Sequence, residues 1–440
     1  MNAEIRTIKT PAEQALSAAF RSARGKLPGA GGVDALREAA FARFDAAGLP
    51  HRRIEEWKYT DLRALMREAK PLAEPAKSKG AAPALAGVET SRIAIVNGRF
   101  EPGWSDVKAP DRGLEATELF AFAGQRPAYR LGDIPGKDDI AVSLNTAFMS
   151  GGVALRVKQG AAIDRPLHIA HVFTGEAAAA VYPRVVVVVE PGASLTLVES
   201  FDGPAKLDYQ VNSVLEIAVG DGAHLDHIML GRDGEAALRL SSLGVTVGAK
   251  ATYNEFVYAG GGAVVRNQLF VRFAGEGTQS AIGGASLLKG RQHVDNTLVI
   301  EHAAPGCTSR ERFRAVLADE SHGIFQGKII VAPHAQKTDA KMASNALLLS
   351  DEAEADNKPE LEIFADDVQC GHGATAGALD ATLKFYLMSR GVSEKEAEAL
   401  LIQAFIGESI EQIAHEGVRE AVMNAALEWL AQRGEHVVAR

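Results

Sequence analysis

Cys370-Gly371-His372 places a soft thiol and an imidazole two positions apart, in a chain of 440 residues that has only two cysteines. Cluster iron favours thiolate sulfur, with imidazole as an occasional replacement. One cysteine and one histidine are too few for a complete cluster site, which takes four ligands, so the pair suits a site shared across a subunit interface. The competing reading is packing, with the cysteine as a small apolar filler and the lone histidine as a structural polar residue. Two other pairs are weaker. His168/His171 and His224/His227 are spaced i, i+3, which shares a face on a helix but not on a strand, and both lie in strand-like text. Cys307 sits in a turn position otherwise filled by small residues, so packing accounts for it.

Other chemistry is missing from the text. Gly323-Ile324-Phe325-Gln326-Gly327-Lys328 is one residue short of a phosphate-binding loop and lacks the hydroxyl that would hold magnesium. Gly260-Gly261-Gly262 has no helix after it and reads as a turn. There is no Gly-x-Ser-x-Gly elbow and no compelling acid–base pair. The chain thus offers no loop of its own for ATP hydrolysis.

Three textures must position the Cys-His run. Residues 11 to about 70 read as helical, with Ala35, Leu36, Ala39, Ala40 and Phe44 at helical spacing. A Pro-, Ala- and Lys-rich linker follows, closing a first region at 1–87. From Ser91 to Val368, short Val/Ile/Leu strands alternate with Gly and Asp-Gly turns, and no long amphipathic helix fits between them. Val187-Val188-Val189-Glu190-Pro191-Gly192-Ala193, Ile217-Ala218-Val219-Gly220-Asp221-Gly222-Ala223 and Val245-Thr246-Val247-Gly248-Ala249-Lys250-Ala251 repeat one pattern. The small residue after the turn recurs at Ala161, Ala193, Ala223, Ala251, Thr278, Cys307 and Ala335, a period of about thirty. Several short strands per unit and no helix predict a mainly β chain with a β-solenoid core at 88–372. A β-sandwich with regular turns is the alternative. Aligning Leu215-Glu216-Ile217 with Leu361-Glu362-Ile363 puts Cys370 in the column of His224, on the last rung. Residues 373–440 read as helices, with Ser393 and Glu396 as an N-cap pair and an apolar run from Ala399 to Ile406. Such helices can seal the solenoid end or present a docking face.

The bulk properties narrow the partners. A net charge of -9 without a basic cluster argues against nucleic acid. No apolar run is long enough to span a bilayer, and the first residues lack the apolar core of a secretory signal. Two distant cysteines make no disulfide framework, so a reducing cytoplasm is the expected location.

Four stretches, in this order, resemble the SufB/SufD family of the SUF machinery, which builds iron–sulfur clusters. They are Glu55-Glu56-Trp57-Lys58-Tyr59-Thr60, Gln369-Cys370-Gly371-His372-Gly373-Ala374-Thr375, Phe385-Tyr386-Leu387-Met388-Ser389-Arg390-Gly391 and Ala399-Leu400-Leu401-Ile402-Gln403-Ala404-Phe405. The low cysteine count and the Glu-Trp-Lys-Tyr-Thr motif favour the SufD branch. The resemblance implies a right-handed parallel β-helix flanked by helical regions. It also implies a non-catalytic subunit that pairs with SufB through the β-helix and docks the SufC ATPase through its C-terminal helices, or pairs with itself in isolation. In that picture ATP is on SufC, and iron or a nascent cluster is held transiently by His372 with Cys370 at the shared interface. Tyr386, Arg390 and Phe405 are the expected SufC contacts. The resemblance implies no stably bound cofactor on this chain, and nothing reads as a flavin motif. A SufB-like chain that binds a cluster by itself is the second reading. A solenoid enzyme acting on polysaccharide is a third, against which stands the lack of paired carboxylates at rung spacing.

Overall fold

The computed structural model describes residues 9–29, 32–76, 80–81, 83–106, 113–125 and 131–438. Its centre is a parallel β-solenoid of two ten-stranded sheets. β-Branched and aromatic side chains suit a pleated surface, and short turns lay each strand on its equivalent one coil earlier. One sheet stacks His224–Arg232, Thr252–Ala259, Gln279–Leu288, Thr308–Leu317, Asp339–Leu348 and Gln369–Gly377 in parallel register. The other stacks Leu238–Val247, Val264–Phe273, His293–His302, His322–Val331 and Glu354–Ile363. Gly192 and Gly222 take φ of 68° and 64° at equivalent turns, where a Cβ would be strained.

Side chains alternate between the bore and the outside. The bore holds one continuous apolar cluster that runs from Ile93 and Leu167 to Met342 and Ala340. Outward residues of the first sheet, among them Ile228, Leu230, Phe256, Leu287 and Val316, pack against Ile402, Ile406, Ile410, Val422 and Trp429 of the C-terminal helices. Helices Glu394–Ile410 and Glu416–Val438 therefore lie along the side of the solenoid and leave its last coil open. Arg314 fastens them, donating to the Phe405 carbonyl at 2.6 Å with its guanidinium 4.6 Å from the Phe405 ring. No helix among the described residues is long and apolar enough to cross a membrane.

The N-terminal helices Pro11–Ala23 and Gly32–Ala47 share a core with Leu144, Phe148 and Tyr182. The 55–60 motif clamps this region to the second sheet. The Trp57 indole is buried, lies 3.9 Å from the Arg266 guanidinium and donates to Asp139 at 3.1 Å. The Thr60 hydroxyl donates to Asp295 at 2.5 Å and lies 3.0 Å from His293. Thr60→Val keeps the shape and deletes the donor to a buried carboxylate. It is expected to cost about 2 kcal/mol, read by chemical denaturation.

The structure differs from the expectation in four places. Two helices, Leu119–Gln125 and Ile140–Phe148, interrupt the first coils. The second is buried on every side, so it lacks the polar face that marks an amphipathic helix. The last strand runs on to Gly377, past the boundary at 372, because its backbone still has a neighbour to pair with. Finally, Cys370 stands in the column of Leu225, not His224; Gln369 occupies the His224 column. Leu361, not Ile363, aligns with Ile217, and the turn before the last strand is one residue longer than its counterpart at 220–223. The marker column likewise passes from Cys307 to Thr338 instead of Ala335, because the turn 332–338 is extended. A one-residue slip reverses the face of every side chain, so Cys370 turns inward instead of outward.

Candidate functional site

The terminal rung is built from the two strands on which, among the described residues, no further strand is stacked, Glu354–Ile363 and Gln369–Gly377. No side chain of either strand is fully buried. Gln369 donates its N–H to the Thr338 carbonyl, in the turn just before the preceding strand, at 2.8 Å. Parallel pairing alternates, so the main-chain groups of Cys370, His372, Ala374 and Ala376 point to the open edge. On the other strand Glu354 and Phe364 bond backward, which directs Ala355, Asn357, Pro359, Leu361 and Ile363 outward. Pro359 has no N–H to offer, so that edge is blunted. The Gln369–Gly377 edge has no proline and is free to accept a further strand.

Cys370 and His372 share the inward face of this rung. Cys370 is half-buried against the apolar bore, one rung above Ala340. Burial pushes its thiol pKa up, with Asp339 and Glu311 adding to the effect and the Ala340 backbone opposing it. His372 is exposed and sits one rung above Met342. Among the described residues no three His, Cys, Asp or Glu side chains converge as a metal site. The pair is thus two donors at the mouth of a bore, with the remaining positions open to solvent.

The other candidates fall elsewhere. Cys307 is buried in the bore and its thiol faces the Gly275 carbonyl at 3.4 Å. His168 is buried against the Ser200 hydroxyl at 2.9 Å. His224 and His227 point to opposite faces, and His224 meets Asp226 at 3.0 Å on the exposed one. Helix Ala381–Ser389 has no buried residue, leaving Leu383, Phe385, Tyr386 and Met388 exposed, with Arg390 5.0 Å from the Tyr386 ring. Phe405 is half-buried and turned onto the solenoid under Arg314, so it is held inside the chain more than it is offered outward.

Sequence reasoning missed the ionic centre of the bore. Glu199 bridges two histidines, with His171 Nε2 at 2.8 Å and His227 Nε2 at 3.3 Å. His227 Nδ1 meets Glu255 at 2.7 Å, and the Tyr253 hydroxyl donates to Glu255 at 2.6 Å. Burial opposes both charges. Even so, the carboxylates of Glu255 and Glu199 raise the His227 pKa above its ordinary 6.5, and hydrogen bonds from His171 and His227 lower that of Glu199 below 4.5. The signal lay in the register. His227 and Glu255 are neighbours on adjacent coils, and the same column continues through Ile282, Glu311 and Met342 to His372.

The family model for the "SUF system FeS cluster assembly, SufBD core domain" matches residues 171–405, and that for the "SufBD protein N-terminal region" matches 13–169. The chain is 31% identical to the iron–sulfur cluster assembly protein SufD of Escherichia coli, over 86% of this chain and 88% of that one. It is 30% identical to an iron–sulfur cluster assembly SufBD family protein of Synechocystis, over 86% of each. The SufD of Bacillus subtilis is 27% identical over 64% of this chain and 65% of that one. The coils that present Cys370 and His372 fall within the core match, and the chain belongs to the SufBD family of SUF iron–sulfur cluster assembly proteins.

Proposed function

We propose that this chain is a non-catalytic subunit of the SUF scaffold, pairing with SufB through its open terminal rung and docking the SufC ATPase through its C-terminal helices. The observation that carries this reading is the terminal rung itself. It combines an unpaired, proline-free strand edge with two metal-ligand side chains that face the mouth of the bore. A partner strand on that edge would close the bore and supply the missing donors, so iron or a nascent cluster would be held as cargo between two chains. Helix Ala381–Ser389, which follows the edge strand directly, presents an apolar face suited to the ATPase. ATP-driven dimerisation of SufC would move that helix and the edge with it.

His372→Ala is expected to lower cluster yield several-fold in an anaerobic reconstitution with SufB and SufC. The complex should remain intact on size exclusion, because an exposed side chain is removed. Unchanged yield rejects the ligand role. Loss of the complex instead makes His372 an interface residue.

A further inference from the structure

Glu311 is fully buried, yet neither of its carboxylate oxygens has a hydrogen-bond partner of ordinary geometry. Its strand, Thr308–Leu317, directs it into the bore in the column that ends at His372. Two rungs, about 9–10 Å, separate them, with Met342 and Ala340 between. The neighbouring polar groups are the Ser309 hydroxyl and His302, whose Nε2 lies 3.0 Å from that hydroxyl. Burial holds His302 neutral, with its pKa lowered to about 4. The stacked strands offer only Ser280, Ile282 and Gly284 below, and Ala340, Met342 and Ser344 above. Across the bore stand Leu298, Ile300, Phe325 and Ile329. Cys307 lies at the turn. Tyr253 and Glu255 are two rungs below, and Cys370 and His372 two rungs above. Arg310 is on the opposite face of the same strand, paired with Asp339. No cation therefore faces Glu311 from within the bore among the described residues. A buried, unpaired carboxyl without a cation is a costly feature, and such a group calls for an explanation.

We propose that Glu311 is the inner counter-charge of the terminal rung, a positioning residue that favours a cation at Cys370 and His372 through the apolar bore. The inference rests on reading that rung as the cargo site. Without a cation at the rung, Glu311 carries a proton below about pH 7, since burial raises its pKa to about 7 against the weaker pull of Ser309. A divalent cation at the mouth favours the ionised form, and the proton passes to solvent as the cation binds. No other bond is made or broken. The influence runs both ways. Met342, unbranched and polarisable, lies between the two groups.

The test is anaerobic Fe2+ binding to the full chain assembled with its SufB and SufC partners. Calorimetry in buffers of different ionisation heat reads affinity and proton release together, with His372→Ala subtracted. At the rung separation, attraction to a divalent ion in a medium of effective dielectric about 20 supports at least about tenfold tighter binding when Glu311 is ionised. Glu311→Gln should weaken Fe2+ binding about tenfold at pH 8 but only about twofold at pH 6. Near pH 6.5 the native complex should release about half a proton more than the variant. Glu311→Asp should restore part of the pH dependence. A loss of affinity that is equal at every pH, or none at all, overturns the role of Glu311 and leaves the rung reading standing. The absence of any His372-dependent Fe2+ binding in the native complex overturns both.

Discussion

Alanine at His227 is expected to destabilise the solenoid by about 3–5 kcal/mol, more than any single surface change. His227 is fully buried and stands between two carboxylates, Glu199 and Glu255. Its removal leaves two negative charges facing each other in an apolar bore, with His171 and the Tyr253 hydroxyl as their remaining partners. The penalty comes from the charges left behind, not from the net worth of the native network, which pays its own desolvation. The pH dependence has a definite sign. His227 has a raised pKa, so its contribution is complete below 6.5 and declines as pH rises beyond that. Glu199 has a lowered pKa, so its contribution is complete above 4.5 and declines as pH falls below that. The gap between native and variant should be widest between these values and narrow on both sides. Denaturant titrations across the pH range measure it. A gap below about 1 kcal/mol, or one that ignores pH, would mean that the carboxylates find other partners.

The period of about thirty residues was legible because each coil ends in a turn that must reverse direction within a few residues, which restricts side-chain size at the same place each time. Ala193, Ala223 and Ala251 carry that constraint openly, and all three are buried. The extended turn 332–338 carries it less clearly, and there the column was misplaced. In a solenoid a small misalignment is a change of face, so the extra residue in the turn before the last strand made Cys370 read as an outside residue, although it faces the bore, while leaving it on the correct rung. The ionic centre was illegible for a related reason. His227 and Glu255 are 28 residues apart in sequence and become neighbours only through the register of stacked coils. Read along the chain, each is an isolated polar residue in a strand. The motif at 55–60 was visible as a pattern of aromatics and charges, but its use as a clamp depends on Arg266 and Asp295, which lie on two different coils.

The same column gives the second large effect, of opposite sign. Glu311→Gln is expected to stabilise the chain relative to the native protein at alkaline pH. The folded-state pKa of about 7 lies above the ordinary 4.5, so the folded chain holds the Glu311 proton more tightly than the unfolded one. The stability this contributes is complete below pH 4.5 and is lost as pH rises through about 7. Between pH 5 and pH 8 the loss amounts to about 2–3 kcal/mol. Glutamine matches the protonated carboxyl in shape and does not titrate, so the variant escapes the loss. Whatever the glutamine amide itself costs in the bore is the same at both pH values and cancels when the two differences are compared. Urea denaturation of native and variant chains at pH 5 and pH 8 should show the stability difference moving by that amount in favour of glutamine. If the difference stays constant, Glu311 is ionised in the folded chain throughout. A carboxylate ionised in this bore would need a cation beside it, which would place bound cargo, or a partner's basic side chain, deeper in the solenoid than the terminal rung.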